Sequence, residues 1–265
     1  AWELLGDGAA RNGDDAGANK QLEALTKAAP RHPQTLLFDA MLAQKRGDAK
    51  HAREVAQQLL RGAPDNPQVL LVAGEAEFKL NNLSQAETYF AKALQQAPRM
   101  LPARMQLALV QLRSGQSDKT LATLAPLLEG ATPSVEALTM AAQAQMLKGD
   151  TAGADASFAR AAKLKPDDPR VRIAVALSAL AKGKNPQALA DLRAVAAADK
   201  GTTADMALID VLARANDAAG AEKALDNLAA KLPNDPLPDQ LRGRLALQAK
   251  DAPAARRHFE AALAK

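Results

Sequence analysis

The stretch "KGDTAGADASFARAAKLKPDDP", residues 148–169, is one of several near-copies of a single phrase along the chain. Related phrases are "NNLSQAETYFAKALQQAP" at 81–98 and "KDAPAARRHFEAALAK" at 250–265. Repetition at a fixed interval is typical of proteins built from small stacked units, so the period of the repeat decides the fold.

A turn residue near the start of each phrase sets the period. Successive turn residues lie 34 positions apart, except for an interval of 33 between Gly183 and Asn216. Most are Gly or Asn, which tolerate the positive φ that a helix needs where it ends in a tight turn. The turn residues are Gly13, Gly47, Asn81, Gly115, Gly149, Gly183, Asn216 and Lys250.

Small residues recur on both sides of each turn. Seven positions before it stands Gly or Ala in every unit except at Ile209, and five positions after it stands Ala in every unit except at Thr120. Such pairs predict two antiparallel helices that cross closely, because larger side chains would overpack the contact. Larger apolar residues three apart, such as Leu22 and Leu25, share one face of the second helix.

A proline closes most second helices, because proline cannot continue a helix. These prolines are Pro30, Pro64, Pro98, Pro133, Pro166 and Pro233. The sequence therefore predicts an all-α protein of eight helix–turn–helix units, at 1–32, 33–66, 67–100, 101–134, 135–168, 169–201, 202–235 and 236–265. The sixth unit is one residue short and has Lys200 in place of the proline, so the segment "ADKGTT" (198–203) is an irregular junction.

The units resemble the tetratricopeptide repeat family. The first unit carries the family pattern as "WELLG" (Trp2, Leu5, Gly6), followed by Gly13, Ala18, Leu22, Leu25 and Pro30. The resemblance covers the whole chain, although Asp39 and Arg242 stand where Leu is usual. It implies a single α-solenoid over residues 1–265, wound as a right-handed superhelix, in which the first helix of each unit lines a concave groove.

Composition argues against several classes of function. The chain has a formal net charge of +4 and no basic block, which argues against a nucleic-acid partner. It has no cysteine, which removes thiolate catalysis and zinc–sulfur sites, and no apolar run long enough to span a membrane. Because no nucleophile is paired with a base, the sequence predicts no enzyme, no catalytic or metal site and no cofactor.

Other polar motifs are interpreted as structural. His32, His51 and His258 lie far apart in the sequence and are interpreted as surface residues. The segment "DGAARNGDD" (7–15) is interpreted as a helix end with its turn, and Trp2 as a packing residue. In "PDDPR" (166–170) and "PNDP" (233–236), Asp stands where its side chain can cap the next helix.

The family resemblance also predicts which residues face the groove. Four of the six methionines fall among them, and methionine adapts to irregular partners. The set favours a protein or peptide segment bound in an apolar groove with basic margins. The alternative is that the same side chains only pack between adjacent first helices. The predicted groove residues are Leu37, Met41, Lys45, Leu71, Glu75, Phe78, Met105, Leu109, Leu112, Arg113, Gln143, Met146, Ile173, Leu177, Met206, Asp210, Arg214 and Arg244.

One mode of peptide capture is excluded at these positions. Some members of the family hold the C-terminal carboxylate of chaperones with a Lys and Asn clamp on their first helices. The corresponding pairs in this sequence include Leu37/Met41 and Met105/Leu109, which cannot form charge-assisted bonds to a carboxylate.

Two stretches resemble a narrower group. "QSDKTLATLAPLLEGA" (116–131) and residues 231–264 are similar to the tetratricopeptide lipoprotein of the PEP-CTERM/exosortase system of Gram-negative bacteria. That group is associated with exopolysaccharide and biofilm gene clusters. The resemblance implies a periplasmic or cell-envelope protein from which this chain is a fragment, and a function as a protein-interaction scaffold.

Other partners remain as alternatives. A groove that guides a nascent polysaccharide would favour aromatic platforms, and Phe78 is the only aromatic residue among the predicted groove positions. RNA binding would need a basic stripe, which the sequence lacks. Repeat arrays need polar caps at their ends, so uncapped ends carrying Phe259 and Leu263 predict end-to-end self-association.

Overall fold

The computed structural model of the chain describes residues 15–129, 133–183 and 185–265. These residues form fifteen α-helices and no β-strand, which confirms the prediction of an all-α fold built from helical hairpins. Trp2, Leu5, Gly6 and Gly13, together with almost all of the 7–15 segment, lie outside the described residues.

The described helices alternate between the two members of each unit. The first helices are α2 (Pro33–Lys45), α4 (Pro67–Lys79), α6 (Leu101–Arg113), α8 (Val135–Leu147), α10 (Pro169–Ala181), α12 (Thr203–Arg214) and α14 (Leu237–Gln248). The second helices are α1 (Asp15–Ala28), α3 (Ala49–Gly62), α5 (Leu83–Gln96), α7 (Ser117–Leu128), α9 (Thr151–Leu164), α11 (Pro186–Ala198), α13 (Ala218–Lys231) and α15 (Ala252–Leu263).

The predicted turn residues end the first helices with a left-handed backbone. Among the described residues, positive φ is confined to Gly47, Asn81, Gly115, Gly149, Gly183, Asn216 and Lys250. The φ of Lys250 is 61°, a conformation that is costly for a residue with a Cβ, so the turn overrides local preference there. The period predicted from the sequence is therefore also the period of the backbone.

Small and large residues fit one another within each hairpin. A Cβ added to Gly74 of α4 would lie 2.5 Å from the ring of Phe90 in α5. A Cβ added to Gly243 of α14 would lie 2.7 Å from the ring of Phe259 in α15. Where the second helix carries Leu124 instead of Phe, the first helix carries Ala108. In these hairpins the smallest first-helix residue makes room for the largest second-helix side chain.

Polar residues cap the helices as the sequence predicts. The Asp168 carboxylate accepts a hydrogen bond from the Arg170 backbone N–H at 2.9 Å, and Asp235 accepts one from the Leu237 N–H at 2.8 Å. Hydrogen bonding to the Arg170 side chain holds the pKa of Asp168 below its usual range. Asp168 is thus confirmed as the N-cap of α10, while Asp235 precedes the N-cap Pro236 of α14 and bonds the first backbone N–H of that helix.

The described residues divide into two compact units, with the boundary between Ala154 and Asp155. Within the first unit each helix from α1 to α8 packs against the next, and within the second the helices from α10 to α15 do the same. Small cores fill the spaces between neighbouring hairpins, for example around Phe90, Leu107 and Val110 in the first unit. That the repeats form one continuous array over 1–265 stays a prediction.

A buried ion pair supports the irregular junction at 198–203. The Lys231 ammonium lies 2.6 Å from the Oδ2 of Asp205, whose side chain is fully buried. It also donates to the carbonyl oxygens of Ala196, at 2.8 Å, and Gly201, at 3.2 Å. One ammonium therefore joins the last turn of α11, the connecting loop and the first turn of α12, where the proline of other units is missing.

Candidate functional site

The first helices of the first compact unit form a layer of their own. Each of α2, α4 and α6 contacts the next first helix in the chain, whereas no comparably close contact joins successive second helices in the described part of this unit. A set of exposed or half-buried residues on α2, α4, α6 and α8 is called the first-helix face below. They are Leu37, Met41, Gln44, Lys45, Leu71, Glu75, Phe78, Lys79, Met105, Leu109, Leu112, Arg113, Gln143 and Met146.

The residues of the first-helix face are accessible to different degrees. Met41 is 42% exposed, which is high for a methionine, and Lys45, Lys79, Arg113 and Gln143 are also exposed. The remaining members are half-buried. A half-buried apolar side chain both packs against its neighbours and leaves area for a partner, so this face has a surface that binding could cover.

Part of the face also serves internal packing. Leu71 and Phe78 contact the core around Phe90, and Met105 contacts the core around Leu124. Each of these side chains therefore packs partly inside the protein and is partly exposed to solvent.

The aromatic ring of the face is covered by a cation. The guanidinium carbon of Arg113, from α6, lies 4.9 Å from the centroid of the Phe78 ring, in α4. A guanidinium over an aromatic face is held by the ring quadrupole and by stacking. The contact joins two successive first helices and fixes the position of the guanidinium.

Glu75 is the one carboxylate of the first-helix face. Burial raises the pKa of the Glu75 carboxyl, while the nearby Lys79 ammonium and a hydrogen bond from the Gln44 side chain offset part of that effect. Gln44 also donates to the carbonyl oxygen of Val72 at 2.7 Å, so it links α2 to α4. Gln44, Lys79 and Glu75 therefore form one polar group within an otherwise apolar strip.

We expect Glu75→Gln to stabilise the protein at neutral pH. Because the folded pKa is raised above its ordinary value of 4.5, the charged form carries a penalty in the folded state. That penalty is absent below the unfolded pKa and develops as the pH rises through the folded pKa.

The test is the free energy of urea unfolding of Glu75→Gln and of the parent protein from pH 4 to pH 8. The difference in free energy of unfolding between Glu75→Gln and the parent protein should shrink as the pH falls towards about 4. Glu54→Gln, at an exposed position of α3, is the control and should show no such trend. An equal gain at all pH values would contradict the expectation.

In the second compact unit the predicted residues surround a cavity. Met206 and Asp210 of α12 and Arg244 of α14 line a space of about 350 Å³, together with Leu241 and Gln248. The Oδ2 of Asp210 pairs with the Nε of Arg214 at 2.9 Å on the same helix. Leu177 is half-buried and Ile173 is buried, with an exposed fraction of 6%, so Ile173 offers little area to a partner.

Two larger cavities occur where a first helix lacks a filling side chain. Ala179 lines a space of about 440 Å³, and Ala246 lines one of about 410 Å³. The equivalent position of α4 carries Glu77 and that of α6 carries Gln111, and both of these are buried. Alanine occupies the same repeat position in both first helices that border these cavities, although Ala43, at that position of α2, is buried.

The two departures from the family pattern form polar contacts that sequence reasoning missed. Asp39 lies 3.1 Å from the Nε2 of His51. Arg242 reaches Glu222 and Asp226, each at 2.6 Å, and Asp239 at 3.8 Å. The spacing of Glu222 and Asp226 on one face of α13 was a signal that could have identified Arg242 as their partner.

The remaining predicted features have simple positions. His32 caps α2 by accepting from the Gln34 backbone N–H at 3.3 Å, His51 pairs with Asp39, and His258 is half-buried. Leu263 is 87% exposed and Phe259 is half-buried.

In the part of the chain that the structure describes, no group of three potential ligands could hold a metal ion, and no helix has the length and apolarity to cross a membrane.

A tetratricopeptide repeat family model matches residues 39–100, 105–169 and 174–236, which is more than half of the chain. The chain therefore belongs to the tetratricopeptide repeat family, and the predicted resemblance to that family is confirmed. A search of curated proteins found no match. Proteins of this family are generally non-enzymatic scaffolds, and the fold suggests protein or peptide partners.

Solved structures of similar fold include bacterial repeat proteins. A thermophilic repeat protein of Thermus thermophilus is 25% identical, with a TM-score of 0.54, over 68% of this chain and 100% of its own. A tetratricopeptide repeat protein from Parabacteroides merdae is 15% identical, with a TM-score of 0.58, over 99% of this chain and 92% of its own. The C-terminal part of a repeat protein from Cytophaga hutchinsonii is 16% identical, with a TM-score of 0.56, over 91% and 99%. The last two likenesses show the fold alone.

Proposed function

We propose that this chain is a non-enzymatic scaffold that binds a segment of a partner protein on the first-helix face. The observation that carries the proposal is the apolar strip on consecutive first helices, where Leu71, Met105, Leu109 and Leu112 are each half-buried. An extended or helical segment could cover the exposed half of these side chains, since apolar grooves accept either form.

The test is a pair of charge substitutions at the centre of the strip. Met105→Asp with Leu109→Asp should abolish capture of partners from an envelope extract of the source organism, because two carboxylates would have to be desolvated against apolar groups. Gln95→Asp with Gln96→Asp, at exposed positions of α5, adds the same charge elsewhere on the unit and should leave capture unchanged. Circular dichroism would show that both variants keep their helices.

Capture that is equal in both variants would overturn the proposal. A specific partner would be recognised because it is lost with the first pair and retained with the second. Any protein that both variants retain binds elsewhere on the chain.

We further propose a setting for this scaffold in the periplasm or cell envelope of a Gram-negative bacterium, within a PEP-CTERM/exosortase system for exopolysaccharide. The support is the similarity of residues 116–131 and 231–264 to the lipoprotein of that system. Exosortase and polysaccharide genes beside the gene for this chain would support the setting. A neighbourhood without them would count against it.

A polysaccharide partner is favoured less than a protein segment. Sugar rings bind to open aromatic faces, and the Phe78 ring of the first-helix face is covered by Arg113. The same capture experiment can include purified exopolysaccharide as a competitor. Competition at low concentration would reverse the ranking.

A further inference from the structure

Three cations stand in line along one edge of the first-helix face. Lys45, Lys79 and Arg113 are the last residues of α2, α4 and α6, and they occupy the same position in three consecutive units, 34 residues apart. All three side chains are exposed. They are called the cationic row below.

The preference of helix C-termini for cations explains only part of this row. A basic residue in the last turn stabilises any helix by about 0.3–1 kcal/mol, so it should be equally useful in every first helix. The residue after α8 is Lys148, which pairs with Asp118, and the residue after α10 is Lys182, which pairs with Asp155. The last turn of α14 has no basic residue. The first helix α12 does end in Arg214, but that side chain pairs with Asp210 on its own helix.

Lys79 and Arg113 have little acidic compensation on the first-helix face. Glu75 is the one carboxylate among the residues of the first-helix face, and it is half-buried beside Lys79. Within the described residues no carboxylate pairs with Arg113. Its guanidinium carbon lies 4.9 Å from the centroid of the Phe78 ring, and a guanidinium can meet a carboxylate through two parallel bonds.

We propose that the segment bound on the first-helix face is an acidic, apolar peptide whose carboxylates meet the cationic row. This inference rests on the proposed function, because it specifies the chemistry of the partner at the same face. The apolar strip of Leu71, Met105, Leu109 and Leu112 lies beside the row on the same helices. The partner therefore needs apolar side chains for the strip and carboxylates along one edge.

The spacing of the helices sets the spacing of the carboxylates. Packed helices lie about 8–10 Å apart, so neighbouring cations of the row are separated by roughly that distance. An extended chain advances about 3.3 Å per residue, which places an acidic residue at about every third position of the partner. A segment of about seven residues would span all three cations.

The experiment measures binding of fluorescein-labelled peptides to the whole 265-residue chain by fluorescence anisotropy. The acidic probe has the repeat Glu-Ile-Ser over about twelve residues, and the matched neutral probe has Gln in place of Glu. We expect the acidic probe to bind about tenfold more tightly than the neutral probe at low salt, and the difference to shrink as salt is added.

Substitutions in the cationic row should weaken binding of the acidic probe alone. Arg113→Gln and Lys79→Gln should each lower the affinity for the acidic probe about five- to tenfold and leave the affinity for the neutral probe unchanged. Arg61→Gln is the matched control, because it removes an exposed cation from the last turn of the second helix α3 in the same unit. Glu75→Gln should tighten binding of the acidic probe, since it removes the one opposing charge.

Each outcome separates this inference from the proposed function. If both probes bind equally and Arg113→Gln has no effect, the proposal of an acidic partner is wrong. Binding of a partner on the first-helix face is not contradicted by that result. If Arg61→Gln weakens the acidic probe as much as Arg113→Gln does, attraction is a property of net charge and the row has no special role. If neither probe binds, the inference fails, and the capture experiment with Met105→Asp and Leu109→Asp decides the groove independently.

Discussion

Replacing Lys231 with Met is expected to destabilise the second compact unit by about 3–5 kcal/mol. The ammonium lies 2.6 Å from the fully buried Asp205 carboxylate, whose other oxygen has no hydrogen-bond partner. Without Lys231 this carboxylate is buried and uncompensated, and the carbonyl oxygens of Ala196 and Gly201 each lose a donor. The free energy of urea unfolding, followed by circular dichroism, measures the loss.

Two further variants show whether the loss comes from the stranded charge. Lys223→Met, at an exposed position of the same helix, should change stability by less than about 0.5 kcal/mol. Asp205→Asn combined with Lys231→Met should recover part of the loss, because the amide is neutral. A double variant as unstable as Lys231→Met alone would contradict the account of the junction.

Replacing Gly74 with Ala is expected to destabilise the first compact unit by about 1–3 kcal/mol. In an open helix the same change stabilises by about 1 kcal/mol, because Ala has the better helix propensity. Here the added Cβ would lie 2.5 Å from Cε1 and 2.7 Å from Cδ1 of Phe90, which is fully buried. Thermal and urea unfolding both measure whether Gly74→Ala stabilises or destabilises the protein.

The hairpins offer the control and the rescue for this change. Gly62→Ala in α3 adds a Cβ with nothing within 4 Å, so it should not destabilise. Gly74→Ala with Phe90→Leu recreates the pairing of Ala108 with Leu124, and should be more stable than the sum of the two single changes predicts. Strict additivity would mean that the glycine does not make room for the ring.

The repeat architecture was predictable because local chemistry recurs in every unit. Each described turn residue has positive φ, including Lys250, where only the register of the repeat identified the turn. The small-residue sites were equally informative, since Gly74 and Gly243 face aromatic rings. A local rule that is repeated eight times accumulates evidence that no single helix could supply.

The polar contacts between helices were not predictable in the same way. Lys231 and Asp205 are 26 residues apart, and nothing in the local sequence of either residue indicates that they meet. Arg242 looked like a departure from an apolar site, although it binds carboxylates of the preceding second helix. Such pairs depend on how the helices of one hairpin, or of two neighbouring hairpins, are set against each other, and the repeat pattern does not specify this.

The candidate site was predictable in position but not in detail. The family resemblance placed the groove residues on the first helices, and most of them are exposed or half-buried there. Ile173 is buried, and the contact between Arg113 and Phe78 joins two units in a way that the sequence did not suggest. Exposure shows where a partner could bind, and binding itself has to be measured.

The most direct measurement is site-specific photo-crosslinking in the source organism. A photoreactive amino acid at position 109, on the first-helix face, is compared with one at position 95, an exposed site on α5. The account predicts a discrete crosslinked partner from position 109 and none from position 95. The same partner from both positions, or a partner from position 95 alone, would contradict a scaffold that binds through its first helices.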